Sequence, residues 1–189
     1  MNAVKAEYEA ARRPGWPLTA LAITTDANDA TGIADIVALT CATFGRLDVV
    51  VNNAGYMESF RSIAESDPEE WWKIWTVIMR GTYKVTRGCL PLLLERGGDR
   101  TIKMTSIGGH DVSAQTTKFA IMPFTELIMA ENAEKGILAY PVHPGAIPME
   151  MSAIMPQKMI HVLVDTLEVA SHAIVWVVGE RKTELSHCV

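Results

Sequence analysis

The chain is short of cysteine, short of aromatic residues and without any block of like charge, and each shortage removes a class of protein. Its 3 cysteines are Cys41, Cys89 and Cys188, an odd and widely spaced set with no CxxC, so neither a disulfide framework nor a zinc site is signalled. A reducing compartment fits best, and the expected location is the cytoplasm. The 5 histidines show no H-x-x-x-H spacing, which argues against a metal site. Net charge is -5 with no basic patch, so nucleic acid is not an expected partner. No unbroken apolar run is long enough to span a bilayer. Asp165, Glu168 and His172 interrupt residues 162–178, and Lys5, Glu7 and Glu9 interrupt the opening residues where a secretory leader would be apolar.

What is present is ordinary globular chemistry. Hydrophobic residues make up 49% and charged residues 21%, and 189 residues read as one domain, 1–189, large enough to bury a core. Short β-branched runs ending in Gly or Asn alternate with longer helical patterns, which argues for βαβ units and a parallel sheet. Helices are expected over 2–13, 29–44, 66–90, 116–134 and 167–178, with Pro14-Gly15, Gly45 and Gly136 as stops. Strands are expected over 18–24, 47–51, 101–105 and 137–142. Pro141 inside the last of these suits a sheet edge, because it has no N–H to donate.

The helix from Ser66 is the most informative. Ser66-Asp67-Pro68-Glu69 reads as a capping box with proline in the first turn, and Pro91 should end or kink the helix. Lys73, Thr76, Arg80, Lys84 and Arg87 form a narrow polar stripe. Trp71, Trp72, Trp75, Ile78 and Met79 make most of the remainder apolar, so the helix must be covered on most sides.

Asn52-Asn53-Ala54-Gly55 directly follows the 47–51 strand, and Phe44-Gly45-Arg46-Leu47-Asp48 precedes it. With Arg80-Gly81-Thr82-Tyr83, Thr105-Ser106-Ile107-Gly108-Gly109, Thr117-Lys118-Phe119-Ala120 and Val142-His143-Pro144-Gly145-Ala146-Ile147, the chain resembles the short-chain dehydrogenase/reductase family from about Leu18 to about Met151. The resemblance implies an α/β fold, a truncated Rossmann-like doubly wound parallel sheet of about four strands flanked by helices. The Leu18 strand would then sit beside the Leu47 strand. It also implies that the Trp71–Trp75 helix and the Lys118 helix pack against their copies in a homodimer.

The departures from the family pattern are as telling. The chain begins after the family's first strand, glycine-rich turn and helix, and no G-x-x-x-G-x-G occurs in it. Of the family's Asn-Ser-Tyr-Lys tetrad, Ser106 and Lys118 remain, the Asn position falls at Ile78, and the position four before Lys118 is Ala114. Asp26, Asn53, Gly55, Pro144 and Gly145 remain as remnants of the family's cofactor site, and no cofactor is expected.

Ligands in such folds sit at the carboxyl ends of the strands. Tyr56, Ser106, His110, His143 and Lys118 fall there and are the candidate catalytic residues. Each also has a plain reading: Asn52 and Asn53 as ties between strands, His110 with Asp111 as a solvated pair, Lys118 as a surface lysine, His143 as a packed loop residue. Three functions fit. The first is an enzyme that needs no cofactor, of isomerase, lyase, cyclase or pericyclase type, acting on a hydrophobic small metabolite, by analogy in natural-product biosynthesis. The second is a dimeric binding or structural protein without catalysis. The third is an atypical NAD(P)-dependent oxidoreductase.

Overall fold

A computed structural model describes residues 20–95, 100–105, 112–143, 145–148 and 150–180, with the isolated positions Ala6 and Ala10. The helix expected over 2–13 therefore lies outside the described residues, Ala6 and Ala10 apart. Asp29 accepts the Thr31 amide at 3.0 Å and starts α1 (Ala30–Phe44), which Gly45 ends in the left-handed region at φ 69. β1 (Val49–Asn52) follows, then a long loop, α2 (Pro68–Trp75), a π turn (Thr76–Arg80) and α3 (Gly81–Leu94). β2 (Arg100–Thr105), α4 (Val112–Asn132), β3 (Ile137–Val142) and α5 (Leu167–Glu180) complete the order.

The sheet is parallel, in the order β1-β2-β3, with Val50 opposite Ile102 and Ile102 opposite Ala139. Each connection from strand to strand carries helices, as parallel pairing requires. Ile74 and Ile78 from the α2 side, Leu93 from α3, Ile121 and Ile128 from α4, and Ile137 to Tyr140 of β3 form one buried cluster. Among the described residues β3 ends the strand order, which puts Pro141, opposite Met104, at an edge of the described sheet.

Three expectations need correction. Among the described residues the sheet has three strands. Residues 20–24, the described part of the expected first strand, form no ladder with β1. Ala20, Leu21 and Ile23 instead line an open cleft of about 410 Å³ with Ile36, Thr40 and Phe44 of α1. Apolar side chains in a short run can be satisfied by a helix face as well as by a sheet, and here the helix wins. Val51 on β1 is left 42% exposed.

Second, the helix cap is Asp67, whose side chain accepts the Glu69 amide at 2.9 Å. Ser66 instead donates its hydroxyl to the Ile63 carbonyl at 3.0 Å and closes the preceding turn. Third, Pro91 does not stop the helix, which runs to Leu94. Pro91 is exposed, so water can reach the carbonyl that its missing N–H leaves without a donor.

The cap assignment is testable by urea denaturation. Asp67→Ala should cost about 1 kcal/mol, whereas Ser66→Ala should stay within about 0.5 kcal/mol. Equal losses would return the cap to Ser66.

Candidate active site

All three strands point the same way, so the loops after them gather at one end of the sheet. After β1 the chain turns through Asn53 and Gly55, both exposed, to Tyr56. Asn53 has a partner, and Asn52 ties β1 to α3 by donating its side-chain amide to the Thr86 hydroxyl at 3.2 Å. This bond ties the strand to a helix, not to a neighbouring strand.

Tyr56 packs its ring against the core and extends its hydroxyl to α2. There it donates to Glu70 Oε2 and accepts from Lys73 Nζ at 2.9 Å. Lys73 also reaches Glu70 Oε1 at 3.3 Å and lies 4.1 Å from the centre of the tyrosine ring. The bond from Tyr56 holds the Glu70 carboxyl below the usual carboxylate range, aided by Lys73. Lys73 is raised, first by its bond with Tyr56 and then by Glu70.

After β3, His143 is exposed, and its Nδ1 accepts the Gly145 amide at 3.3 Å. With Nδ1 as acceptor, the neutral ring carries its proton on Nε2. Asp165 fastens this loop from the far side. Its Oδ2 accepts the Ala146 amide at 2.7 Å, and its own amide donates to the Ala146 carbonyl at 3.0 Å. Gly145 sits at φ 95, and a Cβ there would fall 2.9 Å from the Asp165 carboxylate, so only glycine fits the clasp.

Lys118 enters on α4, partly buried and with a partner, and burial pushes its pKa down. Ser106, His110 and Pro144 lie outside the described residues. The structure thus anchors Tyr56 through α2 and His143 through its own loop. Sequence reasoning missed Glu70 and Asp165, and it took Lys73 for part of a polar stripe. The i, i+3 spacing of Glu70 and Lys73 was the available signal. It also missed Glu58, buried and partnered on the Tyr56 loop.

The sequence model of the family described as short chain dehydrogenase matches residues 1–159. The chain belongs to the short chain dehydrogenase family. It is similar to Short chain dehydrogenase mpl6 of Monascus purpureus, 41% identical over 188 residues that cover 96% of this chain and 64% of the relative. It is also similar to Short chain dehydrogenase pigC of Monascus ruber, 36% identical over 170 residues that cover 86% of this chain and 56% of the relative. The chain therefore spans less than two thirds of the length of these curated relatives. A solved 3-ketoacyl-ACP reductase from Sinorhizobium meliloti 1021 superposes with a TM-score of 0.78 at 25% identity, covering 95% of this chain and 78% of that one. A short-chain dehydrogenase from Streptomyces avermitilis gives 0.77 at 25% identity, covering 97% and 73%.

Short chain dehydrogenases use a nicotinamide dinucleotide, so the described residues are tested here against that group. A pyrophosphate needs amides and a positive helix end free of carboxylates. In this short chain dehydrogenase α1 begins on the Asp29 carboxylate, and α2 begins on Asp67 with Glu69 and Glu70 in its first turn. Asp26, at the adenine remnant, spends one carboxylate oxygen on the Asn28 amide at 2.8 Å. Ile78, where the family's Asn stands, is 4% exposed in the π turn. Neither α1 nor α2 therefore offers a pyrophosphate an open helix end.

Lys118 yields a pH test. Its folded pKa is lowered by burial, below an ordinary value of 10.5. The folded state then binds fewer protons than the unfolded state between the two values, and stability rises with pH across that window. Lys118→Met abolishes the term. The stability of wild type relative to Lys118→Met should therefore improve as pH climbs toward 10.5, as read by urea midpoints at several pH values. A gap that does not change with pH would place Lys118 in water.

Proposed function

We propose that this short chain dehydrogenase family member rearranges or eliminates within an apolar small metabolite by proton transfer, without a nicotinamide cofactor. The observation that carries the reading is Ile78, buried in the π turn at the position of the family's water-ordering Asn. A sec-butyl side chain neither donates nor accepts, so a proton relay through that point has no link. Ala114 stands in the tyrosine's place. Losing positioning and acid catalysis together costs many decades of rate.

What remains suits proton chemistry. Lys118, desolvated and biased toward its neutral form, is a candidate base, and His143 offers an Nε2–H donor at the same end of the sheet. Isomerisation, elimination and cyclisation need shape, a base and a donor rather than a redox carrier. The similarity to short chain dehydrogenases of Monascus and Aspergillus terreus supports a place in natural-product biosynthesis. Among the described residues no helix is long and apolar enough to cross a membrane, which accords with a cytoplasmic enzyme.

Purified protein should show no NADH- or NADPH-dependent turnover of ketone substrates, and calorimetry should find no dissociation constant tighter than about 10 μM for either dinucleotide. Low-micromolar binding with turnover would establish the oxidoreductase alternative. Mass spectrometry of a metabolite extract incubated with and without the protein would then identify the substrate.

A second reading, a dimeric binding protein, is favoured by the exposed aromatic surface. Trp72 on α2 is 60% exposed, and Phe119 on α4 is 62% exposed, with Leu127 and Tyr83 exposed on α4 and α3. The notional partner is a second copy, meeting through the Trp71–Trp75 helix and the Lys118 helix. Light scattering should give a dimer at tens of micromolar, a scale well above stable-dimer dissociation constants of roughly 1 μM or below. Trp72→Glu should convert it to monomer. A monomeric wild type, or a dimer unmoved by the charge, would remove the interface.

A further inference from the structure

We propose that Tyr56, Glu70 and Lys73 form a proton-transfer centre for substrates with an acidic C–H beside a carbonyl. This rests on the non-redox reading above and gives the proton transfer to these three groups in place of Lys118 and His143. Tyr56 comes from the loop after β1, and Glu70 and Lys73 come from the opening turns of α2. Parallel connectivity puts both at the carboxyl end of β1, where this fold class holds its ligands. The tyrosine oxygen is bonded on two sides. Lys73 Nζ donates to it at 2.9 Å, and it donates to Glu70 Oε2. Glu70 Oε1 accepts from the same ammonium at 3.3 Å, so the three groups close a ring of hydrogen bonds.

Each group is held in the state the task needs. Glu70 lies at the positive end of a helix, bonded by Tyr56 and Lys73, and stays an ionised acceptor. Lys73 stays a cation over the ring, 4.1 Å from its centre. The ring packs on the core and cannot wander, while its hydroxyl stands at the boundary with solvent. A surface ion pair alone would contribute little to stability. What distinguishes this cluster is a phenol placed between a proton acceptor and a cation.

The step balances without any co-reactant. The tyrosine oxygen takes the proton from the substrate carbon as its own O–H proton passes to Glu70 Oε2. The C–H bond breaks, and its electron pair becomes the enolate, whose charge the Lys73 ammonium offsets. The proton then returns from Glu70 through Tyr56 to a different carbon, giving an isomer with nothing oxidised or reduced.

The test uses 2-tetralone, an apolar enolisable ketone, in D₂O, with loss of its α-proton signal followed by proton NMR. Wild-type protein should speed the exchange over buffer. Tyr56→Phe and Glu70→Gln should each lose about 100-fold of that gain, the lower range for general acid–base catalysis, with unchanged circular dichroism. Lys73→Met should lose part of it. Exchange retained in Tyr56→Phe and Glu70→Gln but lost in Lys118→Met would overturn this assignment and leave the non-redox reading standing. No acceleration by the wild type would also overturn the assignment. The non-redox reading fails separately, by turnover with NADPH.

Discussion

The parallel sheet has to be covered on both faces by the same segments that connect its strands, and that constraint organises the molecule. β3 shows it most clearly. It ends the strand order, yet Ile137, Leu138, Ala139 and Tyr140 are all buried, because α4 folds straight back over the strand that follows it. Ile121 and Ile128 supply the α4 side of that contact, and Ile74, Ile78 and Leu93 supply the α2–α3 side. Each such side chain, fully buried, contributes roughly 1.5–3 kcal/mol. The Met129 sulfur even accepts the Ala139 amide at 3.0 Å, the kind of bond an edge strand offers when nothing pairs with it. β1 has less cover, which is why Val51 shows so much surface.

The helix that covers the middle of the sheet is not regular, and its irregularity is locked from outside. In the π turn the Gly81 amide reaches back to the Thr76 carbonyl, and the Asn28 side-chain amide donates to the same oxygen at 3.1 Å. Lys84 donates to the Asn28 carbonyl, so the turn before α1 is bound to α3 at two points. Gly81 sits close to this turn, and a Cβ there would come within 3.2 Å of the Ala27 methyl. Asn28 Oδ1 and Trp75 Nε1, both next to the turn, are buried without a partner, a cost of about 1–3 kcal/mol for each such group. Local expense of this kind gathers where a fold is shaped for something other than stability. Ile78 occupies the middle of this stretch.

How much of this was legible in the residues depends on whether a signal was local. Leu47 to Val51 and Ile137 to Val142 were readable as strands because buried parallel strands are continuous apolar runs. Gly45 and Gly136 marked helix ends because only a left-handed residue makes that stop, and both do so, at φ 69 and 83. Pro141 announced an edge. The Ala20 to Thr24 run failed because a short apolar segment does not say whether a strand or a helix face will cover it. Ser66 and Asp67 are both good caps, and only the hydrogen bonds choose between them. The π turn had no signal at all, since it depends on Asn28, far away in sequence. Among the site residues, Tyr56 and His143 lie at strand ends, but the Asp165 clasp on Ala146 in the loop after His143 had no local signal.

The two helix N-termini at the described site bear on what chemistry this end of the sheet can host. A pyrophosphate needs an open helix end, and here Asp29 caps α1 while Asp67 caps α2 with Glu69 and Glu70 close behind it. A phosphate would meet carboxylates. A neutral, apolar carbonyl compound would not, and the same carboxylates, held ionised by the helix end, are proton acceptors. The carboxylate that would repel a phosphate at the start of α2 is, in the proposal above, the one that receives a proton from Tyr56. On the proposed reading, the loss of one chemistry and the gain of the other follow from one change of charge at the mouth of the sheet.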